Sequence, residues 1–258
     1  MKKSITMIGY RRPYLMKRTF EYLLKNDLEG WDIYIGIEKC DPKNMELHKQ
    51  FIQEYVPQAK VFYRDWHNAL HPRSRISRNM HDIISKAYGG GSEYNIHLED
   101  DVVISPDVTQ LADWYGQNEF NDIFCLTFAN QCKLEFIKER IEGVCELDKL
   151  ETAVLRSREL YSLEKRVSGF HGFAHCTRRR EWYDFISAAT FSDKGWDWGW
   201  AYEIFNKNFS TLLPCVTRCD HLGTHGVHIK NSTHNRKKGW GYHKIYDGAV
   251  RKEDFVLV

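Results

Sequence analysis

Short apolar runs alternate with amphipathic stretches over roughly the first hundred residues. Ser4–Tyr10 (SITMIGY) reads as a buried strand, and Pro13 then opens a helix that places Leu15, Phe20, Leu23 and Leu24 on one side. Trp31–Glu38 (WDIYIGIE) is a second strand, Asn44–Tyr55 a second helix and Lys60–Arg64 a third strand. Ser77–Tyr88 is helical by its period, with Met80, Ile83, Ile84 and Ala87 inward, and Gly89–Gly91 ends it. Tyr94–Leu98 follows as a fourth strand. Strands alternating with helices predict a parallel α/β sheet, in which ligands bind beyond the carboxyl ends of the strands.

The later pattern is less regular. Asp107–Asn118 and Asp122–Phe128 read as helix and strand, and the charged stretch Lys133–Arg166 as a helical or mobile excursion. Val167–Thr177 is strand-like but broken by Gly169 and Gly172. Arg178–Ala189 and Asp197–Phe205 are predicted helices, Thr211–Val216 a strand, and the tail from His221 a loop. The 258 residues suit one large domain, or two small ones, and 42% hydrophobic content is enough for a sizeable core. A net charge of +2 neither demands nor excludes nucleic acid. No apolar run is long enough to span a membrane, and the N-terminus does not read as a signal peptide. Seven scattered cysteines fit reduced thiols, so a cytoplasmic protein is expected.

One segment stands out chemically. YNIHLEDDVVISPD places Glu99, Asp100 and Asp101 together at the end of a predicted central strand. Hard carboxylate oxygens suit Mg²⁺ or Mn²⁺, whereas an acid-rich solvated turn would carry the same residues. The strand-end position and the immediate return to an apolar, helix-starting pattern favour the cation.

HLEDDVVISPD resembles the acidic motif of the type A (GT-A) glycosyltransferases, in the EDD form of N-acetylglucosaminyltransferase I and its relatives. The resemblance runs in order along most of the chain. GYRRPYLMKRTFEYLL is similar to their first strand and helix, which implies that Arg12, beside Arg11, meets the donor diphosphate. IYIGIE is similar to the strand whose acid contacts uracil, here Glu38. SRISRNMHDIISKAY resembles the helix beside the donor and places Arg78 and Asn79 there. SGFHGFAHCTRRREWYDF is similar to the Gly-rich strand and following helix, so Gly169 and Gly172 fall at the acceptor. GWDWGW resembles the W-D-D-W segment that carries the catalytic base, here Asp197, with Trp198 in place of the second aspartate. PCVTRCDHLGTHGVH resembles the segment that folds over the donor, with His228 where the family has Ser.

The implied fold is a GT-A-type, Rossmann-like mixed sheet flanked by helices. Residues 1–118 form the nucleotide-sugar half of one domain; residues 119–258 form the acceptor and catalytic half, with a flexible C-terminal loop region. The implied activity is inverting transfer from a UDP-sugar, with Mn²⁺ or Mg²⁺ on Asp101 and with Glu99 and Asp100 on donor hydroxyls. Asp197 can equally be a helix-capping acid, but its aromatic surroundings favour a base. Cys215, Cys219, His221, His225 and His228 could hold zinc, yet their spacing is not that of a finger. The family instead implies that His225 completes the cation shell and His228 touches the donor, either being able to take the other's part.

Basic clusters at Arg73–Arg78, Arg178–Arg180 and Arg236–Lys238 read individually as solvated surface. Together with Trp240, Tyr242 and His243, the three clusters, Arg236, Lys237 and Lys238 among them, can also form a backbone-binding surface with an aromatic platform, Trp196, Trp198 or Trp240 stacking on an extruded base. That favours a hydroxymethylated base in double-stranded DNA as acceptor, the phage-type modification, which would place the protein in a host cytoplasm. A bacterial surface glycan is the alternative acceptor. A nucleotidyltransferase is disfavoured because GYRRP lacks a Gly-rich phosphate loop, and a non-catalytic sugar-binding module would not need both Asp101 and Asp197. The sequence assigns no oligomeric state.

Overall fold

The computed structural model describes residues 1–65, 72–129, 162–166, 170–186, 196–214, 217–222 and 256–257. The first half follows the predicted alternation: β1 (Lys3–Gly9), α1 (Pro13–Leu23), β2 (Trp31–Glu38), α2 (Pro42–Tyr55), β3 (Lys60–Arg64), α3 (Pro72–Gly89) and β4 (Tyr94–Leu98). The helix α2 begins at Pro42 rather than Asn44 because Asp41 caps it, accepting from the Asn44 amide at 3.0 Å, with proline at a first-turn position where no amide is needed.

Then come β5 (Val102–Ile104), α4 (Val108–Gln117), β6 (Ile123–Thr127), β7 (Ser162–Arg166) and β8 (Ala174–Arg178). A short helical stretch, Arg179–Glu181, passes into a π-helical turn, Trp182–Ile186. The chain continues with α5 (Trp196–Asn206), β9 (Ser210–Pro214), β10 (Cys219–His221) and β11 (Val256–Leu257).

Nine of these strands form one mixed sheet in the order β11-β7-β9-β6-β8-β4-β1-β2-β3. Strands β1 to β4 pair in parallel, as predicted, while β8 runs antiparallel between β4 and β6. The two sequence halves therefore share one sheet, joined at β4 and β8. Helices cover both faces. Alternate strand residues Ile33, Ile35 and Ile37 pack with α1 and α2 residues such as Phe20 and Phe51. Tyr34 and Phe124 face the other way, onto Met80 and Ile84 of α3 and Trp200 of α5. Each such side chain, removed fully from water, contributes about 1.5–3 kcal/mol.

Three departures from the predicted elements have physical causes. VVISPD does not lead straight into a helix: β5 forms there, because β10 pairs with it antiparallel, His221 against Val102. Of the strand expected over 167–177, residues 170–173 are not strand, and the strand runs over Ala174–Arg178, where β4 and β6 supply partners on both sides. Ser162–Arg166 of the charged excursion is a strand because β9 offers it an edge, and in the tail read as loop Val256–Leu257 extends that edge.

Candidate active site

The acid cluster lies where the parallel order of the sheet ends, at the carboxyl end of β4. Its backbone is tied on each side. The Glu99 amide donates to Phe173 O at 2.9 Å, the Leu222 amide to Asp101 O at 2.7 Å, and Thr19 of α1 to Asp100 O at 3.1 Å. Asp100 and Asp101 are buried, at 4% and 0% exposure. Arg12, at the N-cap of α1, forks across them: one guanidinium nitrogen donates to Asp101 Oδ2 and the other to Asp100 Oδ1. The loop carrying Arg12 is braced from below, since Tyr10 O accepts from His48 Nε2 at 2.6 Å and from the Cys40 thiol at 3.2 Å.

Three ligand atoms, from Glu99, Asp101 and His221, lie within 4.8 Å of one another. His221 Nε2 stands 3.3 Å from Asp101 Oδ1 and 4.0 Å from Glu99 Oε2. Among the described residues no hydrogen bond reaches the buried Asp101 Oδ1. A buried carboxylate oxygen without a donor, aimed at an imidazole nitrogen, fits a cation between them. The electrostatics agree. Burial pushes the Glu99 carboxyl up to about 8, and repulsion from Asp101 adds to it. Burial likewise raises Asp100 to about 6, against the pull of Arg12. Three crowded carboxylates need more positive charge than Arg12 provides.

The strand that delivers His221 is anchored by a fully buried ion pair, Arg218 Nε donating to Asp107 Oδ2 at 2.8 Å, while Ser105 donates to Asp107 Oδ1 at 2.5 Å. Asp197, in the first turn of α5, carries enough negative charge near Glu99 to raise its pKa. It is brought there by Gly172. A Cβ on Gly172 would stand 2.6 Å from the Trp196 ring and 3.0 Å from Asp197 Cβ, so only glycine admits this approach. Behind it His175 donates from Nδ1 to Gly172 O at 2.9 Å and packs against Trp196 and Trp200.

The structure thus brings together Arg12, Glu99, Asp100, Asp101, Gly172, Trp196 and Asp197. Glu38 is buried at the end of β2 with Arg75 Nη1 2.9 Å from its carboxylate. Asn79 is buried and donates to Gly36 O at 3.0 Å, whereas Arg78 is exposed. Gly169, Cys215, His225, His228, Arg236, Lys237, Lys238, Trp240 and the side chain of Trp198 lie outside the described residues. Cys219, from the same Cys/His group as His221, is buried opposite Ile104.

Two residues escaped the sequence reading in these roles. His221 was visible only as one of a group of cysteines and histidines; its pairing register with β5 selects it. Arg75, within RSRISR, is buried rather than solvated. Arg178 is likewise spent internally, on Glu181 and on the carbonyls of Asn118, Phe120 and Ile123.

Fold and site together define an α/β protein with an acidic cluster and a facing histidine, able to hold a cation, at the carboxyl ends of its parallel strands. No family model and no curated protein matches the sequence. Solved structures similar to it include a mannosyltransferase from Pyrobaculum calidifontis in complex with GDP-Man and Mn²⁺, with a TM-score of 0.47 and 9% identity over 83% of this chain and 57% of that one. S. aureus TarS 1–349 in complex with UDP-GlcNAc has a TM-score of 0.49 and 11% identity, over 88% and 62%. The galactosyltransferase LgtC with donor and acceptor sugar analogues has a TM-score of 0.41 and 11% identity, over 80% and 70%. This chain spans less than two thirds of the length of the first two. No described helix is long and apolar enough to cross a membrane.

Proposed function

We propose that this chain is a cation-dependent inverting glycosyltransferase of the type A class, moving a sugar from a UDP-sugar to an acceptor hydroxyl. The observation that carries the reading is the convergence of Glu99, Asp101 and His221, with a buried Asp101 oxygen that accepts no hydrogen bond among the described residues, at the strand ends where α/β sheets bind ligands. The order of motifs from GYRRP to GTHGVH supports it independently. Residues 1–118 would carry the donor and residues 119–258 the acceptor.

Glu99, Asp101 and His221 would hold Mn²⁺ or Mg²⁺; when bound, the ion supplies Lewis-acid stabilisation of charge on a departing diphosphate. Arg12 adds a fixed positive charge on the same side. Glu38, with Arg75 against it, offers a carboxylate edge to a base. Asp197 takes the acceptor hydroxyl proton onto its carboxylate as that oxygen bonds to the anomeric carbon. The bond from that carbon to the phosphate oxygen breaks on the opposite face, and UDP leaves with the electron pair. Gly172 and Trp196 set where Asp197 stands, and positioning of this kind carries much of such a rate.

The acceptor is a saccharide hydroxyl or the hydroxymethyl group of a base in duplex DNA. The internal pairing of Arg75 and Arg178 removes two cations from the DNA surface that the basic clusters suggest. The DNA reading then rests on the cations that stay exposed in those clusters, such as Arg78 and Arg180, and on Arg236, Lys237, Lys238 and Trp240.

The test is titration of UDP with and without Mn²⁺. Asp101→Ala should abolish the Mn²⁺-dependent part of UDP binding while the circular dichroism spectrum is retained, and unchanged affinity would reject the site. Mass spectrometry of hydroxymethylcytosine duplexes and of oligosaccharides, each incubated with UDP-sugars, decides the acceptor.

A further inference from the structure

Arg12 is placed to do more than contact a donor. Its guanidinium spans Asp100 and Asp101, whose side chains are 5% and 1% exposed, while its own side chain is 31% exposed toward solvent. It is thus a cation already inside the acid cluster, held by two carboxylates, with an open edge. Asp101 divides its oxygens: Oδ2 accepts from Arg12 and Oδ1 faces His221. Any cation seated at Oδ1 shares one carboxylate with a guanidinium and is repelled by it.

From this geometry we propose that Arg12 is an internal counter-cation that keeps the divalent site weak until a diphosphate arrives, coupling cation and nucleotide binding. The inference rests on the metal-site reading above. A guanidinium fork fits a phosphate as well as a carboxylate, so an incoming diphosphate offers Arg12 an alternative partner on its exposed side. With Arg12 drawn toward the phosphates, Asp101 turns its full charge to the cation. By linkage the same free energy that tightens the cation in the presence of UDP tightens UDP in the presence of the cation.

The experiment measures Mn²⁺ binding by electron paramagnetic resonance, with and without UDP, for the wild-type chain, Arg12→Met and Arg12→Lys. Wild type should bind Mn²⁺ weakly alone and much more tightly with UDP. Arg12→Met should bind Mn²⁺ alone roughly tenfold or more tightly than wild type, since a repelling charge a few ångströms away is gone, and UDP should add little further. Arg12→Lys keeps the charge but cannot fork across two carboxylates, so it should fall between the two. It also carries the test if Arg12→Met does not fold. Mn²⁺ affinity that is unchanged or weaker in both variants would show that Arg12 orders the acids rather than competing for them, and would overturn the proposal. So would wild-type affinity indifferent to UDP. No Mn²⁺ binding by wild type under any condition is a different result: it removes the metal site itself.

Discussion

In the proposed site Asp101 and His221 would share a cation between a carboxylate and an imidazole that lie far apart in sequence but 3.3 Å apart in space. Outer-sphere partners of a metal typically cost roughly 10–100-fold in affinity when removed, so loss of a direct ligand should cost at least that. His221→Ala is therefore expected to weaken Mn²⁺ binding by that margin, read by calorimetric titration, with the unfolding midpoint of the cation-free protein little changed. In the proposed mechanism Asp197 serves the chemistry instead. Asp197→Asn should lower kcat roughly 100-fold or more while leaving UDP affinity near wild type. Near-normal turnover would reduce Asp197 to a helix-capping acid.

At the scale of elements, the site is held by contacts between segments that carry no chemistry. Helix α5 can bring its first turn over the acids only because Gly172 has no side chain. Gly172→Ala should push Trp196 and Asp197 outward, lowering kcat with little change in UDP affinity. If kcat holds, α5 is not pinned by this contact. Strand β10 is anchored by the Arg218–Asp107 pair, both side chains fully buried. Arg218→Met leaves Asp107 charged in the interior, with only Ser105 donating to its carboxylate among the described residues. Breaking a buried pair from one side costs about 3–5 kcal/mol, which urea unfolding would register as a lower midpoint.

Over the whole molecule, acid sensitivity should arise beneath the site. His97 and His175 are fully buried, packed at an angle to each other and to Trp196, and burial holds both below the ordinary histidine range, His175 at about 4. The unfolded chain takes up protons below its ordinary value near 6.5, whereas the folded chain stays neutral until lower pH. The contribution of His175 is thus intact above about 6.5 and is lost as pH drops toward 4, by about 3 kcal/mol, while Glu99 and Asp100, held above the ordinary carboxyl range, act in the opposite direction over the same window. Thermal unfolding of wild type and of His175→Phe followed across that window should therefore differ in slope, wild type losing more stability, or gaining less, as pH falls.

The sequence by itself determined most of the first half. Periods of two and of 3.6 marked β2, β3 and β4 to the residue, because the ends of those strands are set by charges and glycines close by in the chain. It also marked the acid cluster, since three adjacent carboxylates at a strand end conflict with local solvation wherever they occur. Only the tertiary structure decided the rest. Val102–Ile104 became a strand because Cys219–His221 came to lie beside it, and the same pairing chose His221 as the histidine facing Asp101. Arg75 looked solvated in RSRISR and is buried because Glu38, from another strand, neutralises it. Asp197 reaches the acids because Gly172 leaves room for it. Each of these outcomes depends on a partner distant in sequence, and local periodicity carries no record of who that partner is.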